Sequence, residues 1–267
     1  MVGIGRRVHG LGAAALGIVL LVWRTFPADW ITVSPTLSGY QVLLWATCVL
    51  FILAGLASVL LARAPAAGLI LAALFAAWMI AADLPAAAAR PEVWGVWQGI
   101  AESAVMGLGG VLAWTRGVGG EDDDAAARTA LLARWAFGLC LLVFGVSHFV
   151  YAKFTASLVP PWLPPSQMVW VWATGAAQIA AGLAMLSGVL APLAAVLLTI
   201  MYIVFGALVQ APTVIAHPAS QADWTENAIN LILVGAAWTL ADSLWRRRRR
   251  RARVAGTEVA AAAAESG

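Results

Sequence analysis

Charged residues are scarce in this chain of 267 residues: they make up 11% of it, whereas hydrophobic residues make up 62%. Soluble proteins average roughly 25% charged residues. The apolar runs also lack the polar face, repeating every 3.6 residues, that a helix of a soluble bundle presents to water. Residues 41–62, for example, contain no charge. The composition therefore excludes a soluble globular protein and predicts an integral membrane protein.

Residues that commonly carry catalysis are also few. The two cysteines, Cys48 and Cys140, form no CxxC motif, and the three histidines show no spacing typical of metal ligands. The sequence contains no nucleophile motif and no dinucleotide-binding loop. We therefore predict buried thiols and no metal site, and the sequence leaves open whether the protein is an enzyme.

Eight apolar stretches are long enough to cross a bilayer, which takes about 20 residues per helix. Because lipid offers no hydrogen bonds, every backbone group must be bonded within its own helix, and we predict an all-α transmembrane fold. The predicted helices cover residues 8–26, 40–62, 66–84, 94–114, 131–152, 167–190, 192–212 and 224–245.

The chain repeats itself: residues 7–97 match residues 134–224 without gaps, at an offset of 127. Matched residues include three proline pairs, which are Pro65 with Pro192, Pro85 with Pro212, and Pro91 with Pro218. This pattern predicts two tandem four-helix repeats, and an even number of helices makes them parallel. Beyond Trp97 an offset of 124 would instead align Glu102 with Glu226, so the register there stays open.

Changes in composition divide the chain into four parts. We predict a first four-helix membrane repeat over 1–116, a flexible acidic linker over 117–130, a second membrane repeat over 131–245, and a polybasic, disordered tail over 246–267. The linker is glycine-rich and then acidic at 121–124, and the tail contains six adjacent arginines.

Basic residues tend to remain on the cytoplasmic side of a membrane. Arginines precede the first predicted helix, lie between the second and third, flank the fourth and fifth, and follow the eighth. Both termini are therefore predicted to be cytoplasmic. Arg246–Arg253 should contact anionic lipid headgroups, at roughly 1 kcal/mol per basic residue near the surface. Nucleic acid is the weaker interpretation, because no folded basic domain accompanies the run.

Glu102 lies inside the fourth predicted helix, among apolar neighbours. A charge at the centre of a membrane helix costs about 2.5–3.5 kcal/mol on insertion scales, so the residue needs a specific reason to be there. One hypothesis is a carboxylate that carries protons or binds a ligand. The other is a hydrogen bond or ion pair between helices.

The second repeat contains further polar residues that form a candidate ligand site. They are His148, Trp162, Gln178, Glu226, Asn227 and Asn230. Glu226 and Asn230 share a helix face because they are four residues apart. Trp162 lies in a proline-rich loop, either as a lid over this site or as a rigid anchor at the interface. At the offset of 127, the first repeat has Phe51 in place of Gln178 and Ser103 in place of Asn230.

Residues 130–245 resemble the DoxX-like family of bacterial membrane proteins. The resemblance is carried by residues 145–149, Phe154, residues 159–164, Trp170, Trp172, Gly175, Gln178, Gly182 and residues 224–230. It extends to the first repeat only through the internal match, because the His-Phe and Val-Pro-Pro-Trp-Leu-Pro elements are absent there. The resemblance implies four-helix units in the bacterial inner membrane, association with a membrane redox system, and quinone as a ligand.

Three functions follow as hypotheses. The first is an accessory subunit of a membrane redox system that handles quinone or another small lipophilic ligand and contacts a membrane or redox partner protein. The second is a transporter or permease for a small solute, with Glu102 as its intramembrane carboxylate. The third is a non-catalytic membrane scaffold.

Overall fold

The computed structural model describes residues 3–28, 30–31, 33–62, 64–118 and 124–265. Eight helices in this part of the chain are long and apolar enough to cross a membrane, which confirms the predicted number of spans. The described residues contain no strand. The helices are α1 Ile4–Trp23, α2 Tyr40–Leu60, α3 Pro65–Trp78, α4 Leu84–Ala89, α5 Trp94–Val118, α6 Asp124–Val150, α7 Ala152–Leu158, α8 Gln167–Ser187, α9 Ala191–Phe205, α10 Ala211–Ala216 and α11 Gln221–Glu265.

Two of the spans contain a π-helical segment. Met79–Asp83 joins α3 to α4, and Gly206–Gln210 joins α9 to α10. Both segments precede a proline, Pro85 or Pro212, which has no backbone N–H to donate to the carbonyl four residues earlier. A wider turn accommodates this gap in the hydrogen-bond ladder, and such bulges are frequent at functional sites. The two π segments lie 127 residues apart, at the spacing of the sequence repeat.

The helices of the two halves, 4–118 and 124–265, pack across each other. In each half the first helix packs on the second, but α1 also packs extensively on α11 and only slightly on α5. Correspondingly, α6 packs on α5, and α5 and α11 contact each other. The central helices α5 and α11 therefore each border the interior of the other half.

Glycines allow α1 to approach its two neighbours closely. On one face, a methyl group at Gly12 would lie 2.6 Å from Ile232 N of α11, and one at Gly235 of α11 would collide with the backbone of His9. On the other face, a methyl group at Gly10 would lie 2.7 Å from Gly55 O of α2. Because membrane helices associate mainly by van der Waals packing, small residues at the contact hold α1 in place.

Polar groups at the end of the bundle where α1 begins have specific partners. Arg6 Nη2 donates to Leu61 O at 2.8 Å, at the C-terminus of α2, where cations are favoured. Arg116 Nη1 lies 2.9 Å from Asp242 Oδ2 and links α5 to α11. His9 is buried and its Nε2 lies 2.9 Å from Met106 O. These contacts join α1, α2, α5 and α11 at one end, which we call the Arg6 end.

The structure differs from the sequence prediction in three stretches. Residues 124–130, expected as linker, form the first turns of α6, and the rest of the acidic run at 121–123 lies outside the described residues. Residues 246–265, expected to be disordered, continue α11. Arginine and alanine have high helix propensity, so nothing in the tail sequence ends the helix after Trp245. The short helix α7 was not predicted at all.

Candidate ligand site in the second half

Aromatic side chains fill the interior of the first half. Phe51 of α2 and Phe75 of α3 are fully buried, and their ring centroids lie 5.1 Å apart. Trp30, from the loop between α1 and α2, packs on both, at 6.1 and 6.5 Å. From the same loop, Phe26 packs on Trp78 at 4.9 Å. The indole Nε1 of Trp30 is buried there without a hydrogen-bond partner among the described residues.

At the equivalent positions of the second half the side chains are polar. Gln178 of α8 replaces Phe51, and Tyr202 of α9 replaces Phe75. They are only 2% and 3% exposed, yet Gln178 Oε1 and Tyr202 Oη have no hydrogen-bond partner among the described residues. An unsatisfied buried polar group costs about 1–3 kcal/mol and calls for an explanation, such as a ligand or a bound water.

Tyr202 points towards the central helices rather than towards lipid. It is within electrostatic range of Glu102 on α5 and of Cys140 on α6. Its ring also packs on Phe205, with centroids 6.3 Å apart. The hydroxyl therefore lies in the interior bounded by α5, α6 and α9.

Three carboxylates from different elements approach one another beside this interior. Glu102 of α5 is within electrostatic range of Glu226 of α11 and of Asp83, which ends the first π segment. Asp83 Oδ2 accepts a hydrogen bond of 2.6 Å from Ser103 Oγ. Gly99, on the same helix as Glu102, leaves room for the Asp83 carboxylate, because a methyl group there would lie 3.6 Å from Asp83 Oδ1. Like charges repel strongly in a low dielectric, so grouping these carboxylates costs free energy.

The other residues predicted for the site, Asn227 and Asn230, follow Glu226 on α11. Asn230 is 8% exposed, and its Oδ1 faces Gly206 at the start of the second π segment, 2.7 Å from where a methyl group would be. Asn227 and Glu226 are partly buried. Of the residues predicted from the sequence, Gln178 and Asn230 are thus buried, and Glu102 and Glu226 are partly buried.

His148 and Trp162 are placed differently. His148 is partly buried near the end of α6, where its Nδ1 donates to Phe144 O at 2.9 Å and its Cβ packs against Gly175 of α8. Trp162 is 67% exposed, so the structure does not pack it over Gln178 or Asn230 as a lid. The loop that carries Trp162 is held by hydrogen bonds from Gln167 to Val159 O and from Trp170 to Pro164 O.

The two halves also differ at the end opposite the Arg6 end. In the first half, Phe26 and Trp30 fold inward from the loop after α1. Their equivalents at the offset of 127 are Lys153 and Ser157, and both are exposed on α7. At these equivalent positions, α7 of the second half therefore places no aromatic side chain in the interior.

Sequence reasoning missed Tyr202 and Asp83. The signal for Tyr202 was present, because it replaces Phe75 at the same offset at which Gln178 replaces Phe51. Asp83 was hidden because it follows an apolar run at the predicted end of a helix, and only the π segment carries the helix past it. The described residues contain no group of three or more histidine, cysteine or acidic side chains that could hold a metal ion.

A protein-family model described as a domain of unknown function, DUF8561, matches residues 137–241. The matched region begins within α6 and ends within α11, so it corresponds to the second half alone. No curated protein and no solved structure matches the chain.

Proposed function

We propose that the protein is a DoxX-like membrane protein that binds a small lipophilic ligand, with a quinone as the first candidate, in the interior of its second half. In this proposal it serves as an accessory subunit of a membrane redox system in the bacterial inner membrane. The observation that carries the ligand site is a pair of buried polar atoms, Gln178 Oε1 and Tyr202 Oη, that have no hydrogen-bond partner among the described residues. The redox association rests on the sequence resemblance.

The architecture in this proposal is two parallel four-helix repeats with both termini in the cytoplasm. The matching π segments support it, and so does the contact between α5 and α11. A methyl group at Gly109 would lie 2.8 Å from Ala236 Cβ, and these two residues are 127 apart. Equivalent residues therefore meet where the central helices cross, which favours the offset of 127 over 124 beyond Trp97. The placement of the Arg6 end in the cytoplasm follows the arginine distribution, and anionic headgroups would contact Arg246–Arg253 there.

The site suits a ligand with an apolar body and oxygen atoms at its ring. Tyr202 Oη can donate to a carbonyl or accept from a hydroxyl, whereas Gln178 Oε1 only accepts. A quinone or quinol offers both kinds of oxygen on a flat apolar ring. The surrounding bilayer supplies such ligands from the lipid phase, so the ligand need not cross water.

Equilibrium binding tests the proposal directly. We expect decylubiquinone to bind the protein in lipid nanodiscs, after subtraction of its partition into empty nanodiscs. Gln178→Leu and Tyr202→Phe should each weaken binding about tenfold, which corresponds to about 1.4 kcal/mol. Phe51→Leu, at the equivalent buried position of the first half, should leave affinity unchanged and is the matched control. Equal affinity in all four proteins would refute the site.

A transporter for a small solute is the second candidate, and one observation favours it. Asp83 and Glu102 from the first half meet Glu226 from the second, and sites between repeats are typical of secondary transporters. Solute or proton flux into proteoliposomes should then fall in Glu102→Gln. Flux that equals that of protein-free liposomes, for every solute offered, would exclude this function.

A further inference from the structure

Arg6, on the first turn of α1, is a buried arginine that forms no ion pair with any described residue. The residue is only 7% exposed. Its Nη2 donates to Leu61 O, whereas its Nη1 is buried and has no hydrogen-bond partner among the described residues. A charge that is buried without a counter-charge is costly, so buried charges are normally paired. An anion is the partner that this guanidinium lacks.

The charges around Arg6 favour an anion. Arg7 and Arg116 lie within electrostatic range of its guanidinium, and Asp242 is already paired with Arg116 at 2.9 Å. Three arginines and one aspartate leave a net charge of +2 in this group. The positive end of the α1 dipole adds to it, because Arg6 Nε and Nη2 lie 3.9 Å from where a methyl group at Gly3, the N-cap of α1, would be. Arg7 is exposed, so the group borders the protein surface.

An apolar groove lies between α2 and α3 beside these arginines, with a volume of about 380 Å³. Five of its nine lining residues are alanines, whose short side chains leave the space between the two helices unfilled. On α2 the groove runs from Leu53 to Leu61, which spans about 12 Å at 1.5 Å per residue. The hydrocarbon of one leaflet is about 15 Å deep, so the groove follows most of it. Leu61 belongs to both features, because its backbone oxygen accepts from Arg6 and the residue also lines the groove.

We propose that this place binds an anionic phospholipid, with the phosphate group on Arg6 Nη1 and one acyl chain in the groove between α2 and α3. Arginine suits a phosphate because its planar guanidinium presents several N–H donors to the phosphate oxygens. A soluble phosphate would use only the charged part of the site, whereas a phospholipid also fills the apolar groove beside it. The site lies in the first half and is independent of the ligand site of the proposed function.

Native mass spectrometry of the full-length protein in detergent tests the headgroup. The probes are phosphatidylglycerol and phosphatidylcholine with identical acyl chains, which differ in net headgroup charge. We expect the first phosphatidylglycerol to bind about tenfold more tightly than the first phosphatidylcholine, because its phosphate charge is not offset by an ammonium group. Arg6→Gln should remove most of that preference. Arg128→Gln, which removes an exposed arginine from the start of α6 at the same end of the bundle, is the matched control and should retain the preference.

A second variant tests the groove and leaves Arg6 unchanged, so it also serves if Arg6→Gln does not fold. Ala57→Phe places a ring in the groove and should weaken the binding of phosphatidylglycerol about tenfold. Ala46→Phe puts the same ring on an exposed position of α2 outside the groove and should leave that affinity unchanged.

The outcomes decide both the ligand and its source. Loss of affinity in Arg6→Gln and Ala57→Phe, with both controls unchanged, would support the proposal. Equal affinity for the two lipids, or a preference that persists in Arg6→Gln, would overturn it. If inorganic phosphate displaces phosphatidylglycerol and Ala57→Phe binds the lipid as well as the unaltered protein does, the site takes a soluble phosphate and the lipid assignment is wrong.

Discussion

The two halves share an order of helices and a π segment at the same position, and they differ in what fills the space between those helices. In the first half, Phe51, Phe75 and Trp30 form a continuous aromatic packing. In the second half, Gln178 and Tyr202 stand at two of the same positions with polar atoms that have no partner among the described residues. Within the aromatic packing of the first half, Trp30 Nε1 also lacks a partner among the described residues. The first-half interior thus offers a single donor, whereas the second-half interior offers an amide oxygen that accepts and a hydroxyl that can donate or accept.

The halves also differ in how tightly their first helix is held. α1 packs on α11 through glycine contacts, such as Gly12 against the backbone of Ile232. At the offset of 127, α6 has leucines, Leu132 and Leu139, in place of Gly5 and Gly12. The closer approach in the first half suits a part that acts as a rigid support. The second half can then accommodate a ligand without losing the framework around it.

The largest effect is expected from a substitution that disrupts the packing of α1 on α11. Gly235→Leu should prevent α1 from packing on α11, because even a methyl group there would collide with the His9 backbone. We expect a loss of about 3 kcal/mol in the free energy of unfolding, at the upper end of the usual cost of overpacking, since a backbone neighbour cannot move aside as a flexible side chain would. The yield of monodisperse protein and its thermal midpoint in detergent measure the loss. Gly107→Ala, where the nearest atoms lie 3.6 Å away, should be tolerated. A folded Gly235→Leu protein of unchanged midpoint would contradict the described contact.

An exchange of residues between the halves sharpens the comparison of their interiors. Phe75→Tyr should lower the free energy of unfolding by about 1–3 kcal/mol, because it adds a polar hydroxyl to a closely packed, buried aromatic cluster. Tyr202→Phe in the ligand-free protein should have the opposite sign, up to a similar size, because it removes an unsatisfied hydroxyl. Thermal midpoints measured in one detergent compare the two. Equal destabilisation by both changes would mean that Tyr202 has a partner in the folded protein.

The smallest expected effect concerns the proline-rich loop. Trp162→Ala should change the free energy of unfolding by less than about 0.5 kcal/mol, because the side chain is 67% exposed. Ligand affinity should also be unchanged if the loop does not cover the site. Binding of decylubiquinone to the variant provides the measurement. A marked loss of affinity would revive the lid interpretation and show that the loop closes when a ligand is present.

Sequence reasoning reached the spans because hydropathy and length are local properties, and it placed seven of the eight helix starts within four residues of those in the structure. Because a proline normally marks the end of a helix, it ended two spans at residues 84 and 212, whereas in the structure they continue to Ala89 and Ala216. The π segments resolve this conflict, and their formation depends on the surrounding packing. Tyr202 was missed because a tyrosine in an apolar run is ordinary until its buried hydroxyl is known to lack a partner.

The sequence by itself determined that this is a multi-pass helical membrane protein with an internal repeat and with few polar residues in its spans. Those facts depend on residue type and spacing along the chain. Only the tertiary structure decided that α1 packs on α11, that α5 brings Glu102 to the second half, and that Gln178 Oε1 and Tyr202 Oη are buried without partners among the described residues. Contacts between helices more than a hundred residues apart depend on how their surfaces fit together. The sequence located the polar residues, and the fold decided which of them face one another.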